Sequence, residues 1–310
     1  MIITVTLNPA VDCAMGVTDY RENSVNRADF QNLTAGGKGI NISVVLNRLG
    51  VETNALGFCG GETGILLCSL LDAMKCPHNM TWLENQLTRI NVKLRCGSSE
   101  TEINGKGADI APDVLENFIE NLENTVSDGD ILVLAGSIPA SVPADIYARI
   151  MERFSGRNIR ITADSSGKPL LELLPFRPFL VKPNNFELGE ILSKSITTPD
   201  EALAGAHELQ TLGACTVLVS LAEKGAVLLT ENGEEYKISA PQGTVKNSVG
   251  AGDSMLAGFL AGLEKTGDYK YALMLGTASG SATAFSGGLA EKYEIDGLFE
   301  KIRCCAESAF

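Results

Sequence analysis

Short apolar runs alternate with helical patterns along most of the chain. Runs rich in β-branched and apolar residues predict strands near 2–7, 53–58, 130–134, 159–163, 179–181 and 215–220. Apolar residues at helical spacing predict helices near 38–49, 63–75, 112–123, 143–153, 186–193, 200–212, 250–264, 268–285 and 294–306. This order predicts an α/β fold with a doubly wound, mostly parallel sheet and helices on both faces.

Two segments interrupt the alternation. Residues 12–34 and 87–106 contain alternating apolar and polar positions without helices between them. Each follows a core strand and returns to the core, so the two segments are predicted to pair as a small antiparallel sheet, inserted as a lid into a single domain over 1–310. Ligands of open α/β sheets bind at the carboxyl ends of the strands, which gives weight to motifs at those ends.

Charge and composition exclude several classes of protein. The formal net charge of −13 argues against nucleic acid and anionic membrane as partners. The N-terminus lacks a signal-peptide pattern, no segment approaches the ~18 apolar residues of a membrane span, and the eight cysteines show no C-x-x-C pairing. We therefore expect a reduced, cytoplasmic protein.

The segment NSVGAGDSMLAGFLAGL, from Asn247 to Leu263, reads as a loop that becomes a helix near Gly250. In one interpretation Asp253 is a first-turn carboxylate that the helix dipole favours. In the other, the glycines bind an anion through unpaired backbone N–H groups, and Asp253 acts as a base beside it. The segment alone does not decide between them.

Four further motifs follow or accompany the predicted strands. NPAVD places Asp12 after a turn, and TAGGKGINIS places Lys38 among glycines at a helix start, although a plain glycine loop would look the same. TRINVKLR aligns cations on one face of a lid strand, where a solvated face is the alternative. In VKPNNFELGEIL, Asn184 and Glu187 suit either Mg²⁺ or a helix cap.

Together these motifs describe one cleft with cations, a lid, a metal position and a glycine-rich anion site beside a carboxylate. That combination suits phosphoryl transfer to a hydroxyl, where positioning and charge neutralisation supply most of the catalysis. The chain lacks a Walker A motif and a first-strand G-x-G-x-x-G, which weakens a dinucleotide-binding dehydrogenase as an alternative.

The motifs together resemble the ribokinase-like, or PfkB-type, carbohydrate kinases over essentially the whole chain. GGKGIN (36–41) and NSVGAGDSMLAGF (247–259) are similar to that family's two signature regions. TLNPAVD, AGGKGIN, TRINVK and KPNNFEL together resemble the subgroup that contains 1-phosphofructokinase and tagatose-6-phosphate kinase. The resemblance implies a Rossmann-like core with a β-sheet lid, which in many members is also a homodimer interface.

The resemblance also implies a role for each matching residue. The catalytic set would be the base Asp253 with the anion site of Gly250, Ala251 and Gly252. Substrate would be bound by Asp12, Gly37, Lys38, Asn41, Arg89 and Ser137, with Arg27 as a further candidate. ATP would contact Ser220, Gly225, Gly252, Ser286 and Gly287. Asn184 and Glu187 would organise Mg²⁺ through water.

The resemblance implies an ATP-dependent kinase of a ketohexose monophosphate, with fructose 1-phosphate as the favoured substrate and tagatose 6-phosphate as the alternative. A non-catalytic sugar-phosphate sensor remains a distant alternative. Two positions depart from the family pattern. Asn247 stands where many members carry Asp, which puts potassium activation in doubt, and Ala222 stands where a glycine is usual.

Overall fold

The computed structural model describes residues 1–97 and 99–307. The described strands are β1 (Ile2–Thr6), β2 (Ala10–Gly16), β3 (Phe30–Gly36), β4 (Thr53–Cys59), β5 (His78–Trp82), β6 (Arg89–Cys96), β7 (Ser99–Asn104), β8 (Ile131–Ala135), β9 (Arg160–Asp164), β10 (Leu180–Val181), β11 (Thr216–Ser220), β12 (Ala226–Leu229) and β13 (Glu235–Ile238). The helices are α1 (Lys38–Arg48), α2 (Gly61–Ala73), α3 (Pro112–Thr125), α4 (Ile146–Arg153), α5 (Lys168–Leu173), α6 (Asn185–Leu192), α7 (Pro199–Leu212), α8 (Ala251–Thr266), α9 (Tyr269–Phe285) and α10 (Lys292–Glu307). None of these helices is both long and apolar enough to cross a membrane.

The larger sheet has the strand order β13-β12-β11-β10-β9-β8-β1-β4-β5. Its strands are parallel from β5 to β11, and β12 and β13 continue it in antiparallel fashion. Strands β1 and β8 are buried at every position, as their uninterrupted apolar sequences predict. The carboxyl ends of the parallel strands consequently meet along one edge of the sheet.

Helices cover both faces of this sheet. One buried cluster joins the sheet to α3, α4, α6 and α7, and another joins its opposite face to α1, α8, α9 and α10. The long helix α8 is apolar nearly all round because it lies between α1 and α9 rather than at the surface. The predicted doubly wound α/β fold is confirmed.

A separate four-stranded sheet has the order β3-β2-β6-β7. The pairs β2/β3 and β6/β7 are antiparallel, as expected, whereas the central pair β2/β6 is parallel. Both β2 and β6 follow strands of the larger sheet and leave it in the same direction, which makes their pairing parallel. Within the predicted segments 12–34 and 87–106, Ser98 lies outside the described residues.

Several elements were not predicted from the sequence. The edge strands β5 and β13 are short and largely polar, and α5 has only six residues, so none carries a strong periodic signal. Strand β12 is buried and apolar, but it follows β11 closely, and the sequence pattern of this region was assigned to β11 alone. These elements extend the sheet at both edges without changing where the strand ends meet.

Candidate active site

Asp253 lies in the first turn of α8, directly after a tight turn at Gly250. Gly250 has a φ of 78°, a left-handed conformation that glycine adopts without steric cost. The Asp253 carboxylate does not cap its own helix, because its Oδ2 accepts a hydrogen bond from Asn41 Nδ2 at 2.8 Å. Burial, together with the nearby charge of Asp164, raises the pKa of Asp253 to about 6. Such a carboxylate can accept a proton near neutral pH.

A second buried carboxylate, Asp164, lies at the end of β9 between two lysines. Its Oδ1 is 3.0 Å from Lys38 Nζ, and its Oδ2 is 3.4 Å from Lys182 Nζ. Burial alone would raise the pKa of Asp164, but the charges of Lys182 and Lys38 outweigh burial and lower it. The charge of Asp164 in turn raises the pKa of Lys38, so both partners stay ionised.

Lys182 connects this ion pair to the helix that carries Asp253. A Cβ atom at Gly252 would lie 3.3 Å from Lys182 Nζ. The ammonium group therefore adjoins the backbone at the start of α8, where the helix dipole favours an anion. Of the N–H groups in this turn, that of Ala251 already donates to the Ser248 carbonyl at 3.2 Å. Lys182 and Asp164 were not predicted as site residues. Each stands at or directly after the end of a parallel strand, the criterion that identified the other motifs.

The small sheet contributes a polar face to the same region. Asp12 on β2 accepts hydrogen bonds from Asn91 Nδ2 and Lys93 Nζ of β6, both at 2.9 Å. Arg89 Nη2 donates to the Asn8 carbonyl at 2.9 Å, while its buried Nε has no hydrogen-bond partner among the described residues. Burial lowers the pKa of Arg89, and the charge of Asp12 opposes that effect. This face of the small sheet thus holds the guanidinium of Arg89, whose Nε–H donor can still bind a ligand.

Asn8 links Arg89 to the loop after β8, because its Nδ2 donates to Ser137 Oγ at 3.2 Å. Ser137 borders a cavity of about 570 Å³ that Lys38 and Glu187 also line. Gly37 precedes α1 with a φ of 133°, and a Cβ there would lie 2.7 Å from the Thr6 side chain. The turn before α1 therefore requires glycine.

Arg27 is the substrate candidate for which the structure provides no contact with the other candidates. It is exposed in the loop between β2 and β3 and takes part in none of the hydrogen bonds or ion pairs described above. The sequence contains no signal for the course of this loop, so its position could not be predicted.

Asn184 and Glu187 form the cap of α6. Asn184 Oδ1 accepts from the backbone N–H groups of Phe186 and Glu187, and Glu187 Oε2 accepts from the Asn184 N–H. The capping alternative is therefore realised. The second Glu187 carboxylate oxygen lies outside the cap, and the negative charge of Glu187 helps to raise the pKa of Lys38. The described residues contain no group of three or more His, Cys, Asp or Glu side chains with metal-ligand geometry. Carboxylate and amide oxygens such as those of Glu187 and Asn184 are the donor type that Mg²⁺ prefers.

The nucleotide candidates lie in two turns. Gly225 has a φ of 95°, and a Cβ there would lie 1.9 Å from the Ile238 carbonyl oxygen, so this glycine is structurally required. Ala222, where the family usually has glycine, adopts a left-handed φ of 49°. Ser220 ends β11, and Ser286 Oγ donates to Glu294 at 2.6 Å, beside Gly287, whose Cα faces open space.

Comparisons with known proteins agree with this geometry. The family model described as pfkB family carbohydrate kinase matches residues 5–296. The 1-phosphofructokinase of Bacillus subtilis (strain 168) is 43% identical over 303 residues, with 98% of this chain and 99% of the relative covered. The D-tagatose-1-phosphate kinase of Bacillus licheniformis is 34% identical, with 98% and 99% covered. Phosphofructokinase-2 from Escherichia coli in complex with fructose-6-phosphate superposes with a TM-score of 0.89 at 27% identity, with 97% and 99% covered.

Proposed function

Because the chain belongs to the pfkB family of carbohydrate kinases, we propose that it transfers the γ-phosphoryl group of ATP to a ketohexose monophosphate, with fructose 1-phosphate as its substrate and fructose 1,6-bisphosphate as its product. One observation carries the proposal. The buried Asp253 carboxylate stands in the first turn of α8, and the Lys182 ammonium group adjoins the Gly252 backbone of the same turn, so a proton acceptor and an anion site adjoin. Phosphoryl transfer to a hydroxyl needs both.

Asp253 takes the proton of the attacking sugar hydroxyl as the oxygen–phosphorus bond forms and the bond to ADP breaks. Asn41 holds the carboxylate through its 2.8 Å hydrogen bond. The backbone amides of Gly252 and Asp253 and the Lys182 ammonium neutralise charge on the moving phosphoryl oxygens. Lys182 and Asp253 are buried, while Gly250, Ala251 and Gly252 are half-buried at the edge of the cleft.

The opposite end of the cleft binds the phosphate already on the sugar. Lys38 and Arg89 supply the positive charge and Ser137 supplies a hydroxyl, while Asp12, Gly37 and Asn41 accept or orient sugar hydroxyls. The unpaired Nε of Arg89 supports this assignment, since a buried guanidinium donor without a partner is costly unless a ligand meets it. Arg27 makes none of the contacts described above, so it binds substrate only if the loop between β2 and β3 closes over the cleft.

ATP lies along the turns at Ser220–Gly225 and Ser286–Gly287, with its phosphates directed to Gly252. Mg²⁺ would be held through water by Asn184 and Glu187, and it would offset phosphate charge that the protein's own cations leave unpaired. Glu187 keeps one carboxylate oxygen outside its cap for this purpose. Asn247 caps its own turn by accepting from the Val249 N–H at 3.1 Å, so it has a structural role irrespective of potassium.

Tagatose phosphates are the second candidate substrates. The similarity to a D-tagatose-1-phosphate kinase favours tagatose 1-phosphate, and the cleft also accepts a 6-phosphate in the reverse orientation, because it binds a phosphate at one end and a hydroxyl at the other. Fructose and tagatose differ only in the configuration of one hydroxyl, so a rigid hydrogen-bonding group such as Asp12 would have to discriminate between them.

A coupled ADP-release assay with Mg·ATP tests the function. Fructose 1-phosphate, tagatose 1-phosphate, tagatose 6-phosphate, fructose 6-phosphate and fructose are compared at equal concentration. We expect the highest kcat/KM with fructose 1-phosphate. A preference for a tagatose phosphate would keep the mechanism and change the substrate, whereas no ADP release with any of the five would support a sensor.

Arg89→Met is expected to raise KM for fructose 1-phosphate by about 10-fold or more, with a smaller change in kcat. The variant removes a charge-assisted hydrogen bond, worth ~1.5–3 kcal/mol, that serves binding rather than chemistry. Steady-state kinetics with the sugar phosphate varied measure the effect. Arg21→Met, in the exposed β2–β3 loop, is the matched control. An unchanged KM would remove Arg89 from the phosphate site.

We also propose that the chain forms a homodimer through the small sheet. Ile90 and Ile103 are exposed on the sheet face opposite Asp12, at 43% and 60% of their surface. Exposed apolar groups on one sheet face are typical of an association surface. Ile103→Glu is expected to shift a dimer to monomer in sedimentation velocity, whereas Ile65→Glu, on the exposed side of α2, leaves the dimer intact. A wild-type monomer would refute the interface.

A further inference from the structure

Two lysines, Lys38 and Lys182, lie beside two buried carboxylates, Asp164 and Asp253, and the four groups are paired unequally. Lys38 and Lys182 both pair with Asp164, at 3.0 and 3.4 Å. Asp253 instead accepts a hydrogen bond from Asn41, an uncharged amide. Asp164 therefore holds both cations, whereas Asp253, the carboxylate proposed as the base, forms no ion pair within the described part of the chain.

We propose that Asp164 is a positioning residue that holds Lys38 and Lys182 away from Asp253, which leaves the base free to accept a proton while each lysine faces its own phosphate. The inference rests on the proposed role of Asp253 as base. It assigns no contact with substrate to Asp164 itself.

The backbone makes Asp164 suited to this task. The parallel register of β9 and β10 pairs Ala163 with Val181, and the Lys182 N–H donates to the Ala163 carbonyl at 3.3 Å. Lys182 and Asp164 are therefore neighbours across adjacent strands, in a position set by the sheet. Lys38 reaches the same carboxylate from the first turn of α1, on the sugar side of the cleft.

The position of Asp164 lies between the two substrates. Lys182 adjoins the Gly252 backbone on the ATP side, and Lys38 borders the cavity beside Ser137 on the sugar side. A single buried carboxylate thus fixes one cation for each phosphate. If the lysines met at Asp253 instead, both would be displaced from the phosphates and the base would be neutralised.

The charges around Asp253 support this account. The groups that face it are Asn41 and Lys38 of α1, Asp164 of β9 and Lys182 after β10, while Glu187 of α6 acts on Lys38. The two lysines lower the pKa of Asp253, and burial and Asp164 raise it. Loss of the Asp164 charge would leave Asp253 as the buried counterion for Lys182, which is itself buried, and for the half-buried Lys38, because buried charges require a partner.

Asp164→Asn tests the inference, because it keeps the shape and removes the charge. We expect kcat to fall by about 10²-fold or more, since an ion-paired carboxylate is a poorer general base. We also expect the acidic limb of the kcat/KM–pH profile to move to lower pH than in the wild type. The substrates' own phosphates titrate near ~6 in both proteins, so the difference between the two profiles reports on the enzyme.

Two further variants separate positioning from structure. Thr162→Val changes a buried hydroxyl on the same strand, two residues before Asp164, and should leave kcat and the acidic limb unchanged. Asp164→Glu keeps the charge and should restore part of the turnover and the position of the limb. The proposal is overturned if Asp164→Asn loses turnover without a shift of the acidic limb, or if Asp164→Glu restores neither turnover nor the position of the limb. Either result would assign Asp164 a structural role.

If Asp164→Asn does not fold, the comparison of Lys182→Gln with the Asp164→Asn/Lys182→Gln double variant replaces it, because the double variant removes one charge of each sign. We expect the acidic limb of the kcat/KM–pH profile to lie at lower pH in the double variant than in Lys182→Gln, because Lys38 then pairs with Asp253. Acidic limbs at the same pH in the two variants would overturn the proposal. If the wild type is active but the acidic limb does not move in the Asp164 variants, only this inference is contradicted. If the wild type is inactive, the proposed function is contradicted.

Discussion

Replacing Asp253 by Asn is expected to lower kcat about 10²–10⁴-fold, the typical contribution of a general base. Asn keeps the shape of the buried side chain and a hydrogen-bonding group toward Asn41, so ATP and sugar-phosphate binding should persist. Single-turnover kinetics measure the chemical step, and titration calorimetry measures binding. Asp113→Asn, in the exposed first turn of α3, is the matched control for a change of helix-dipole charge.

The pH dependence should identify the same residue. The pKa of Asp253 is raised to about 6, so the protonated, inactive form predominates below that pH. Activity should therefore rise with pH through about 6, well above the ~3.9 of an ordinary Asp. The substrates' phosphates titrate in the same range, so the wild-type profile is compared with that of Asp253→Asn. An Asp253→Asn enzyme with near-normal turnover, or with the same acidic limb as the wild type, would contradict the role of Asp253 as base.

Lys182→Met is expected to have the second largest effect, a loss of about 10²–10³-fold in kcat, comparable to the loss of one preorganised donor to a transition state. Met fills the volume of the side chain and removes the ammonium group that adjoins Gly252. KM for the sugar phosphate should change little, because Lys38 and Arg89 remain. The loss should therefore appear in kcat with both substrates saturating.

The acidic limb gives a second measurement on Lys182→Met. Lys182 lowers the pKa of Asp253, so its removal should move the limb to higher pH, opposite to the shift expected for Asp164→Asn. Lys194→Met, which removes an exposed lysine paired with Glu208, is the control for loss of a cation near α6. A raised KM for the sugar phosphate with kcat intact would place Lys182 on the wrong side of the cleft.

Much of the site could be predicted from the sequence because its groups stand next to strong local signals. Asp253 follows glycines at a helix start, and Lys38 stands among glycines at another. Parallel strands bring their carboxyl ends to one edge of a sheet, so motifs at successive strand ends had to meet. The alternating cations of β6 were likewise assigned to one face by the strand period alone.

Other parts of the site depended on contacts between residues far apart in the chain. The sequence by itself determined the order of the main parallel strands and long helices and the start of α8 near Gly250, and it offered the cap of α6 as one of two interpretations, because these follow from hydrophobic periodicity and short-range hydrogen bonds. Only the tertiary structure decided that Asp164 would pair with both Lys38 and Lys182 and that Asp253 would accept a hydrogen bond from Asn41. Pairing between buried charges depends on strand register and on the low polarity of the assembled core, and neither exists until the sheet has formed.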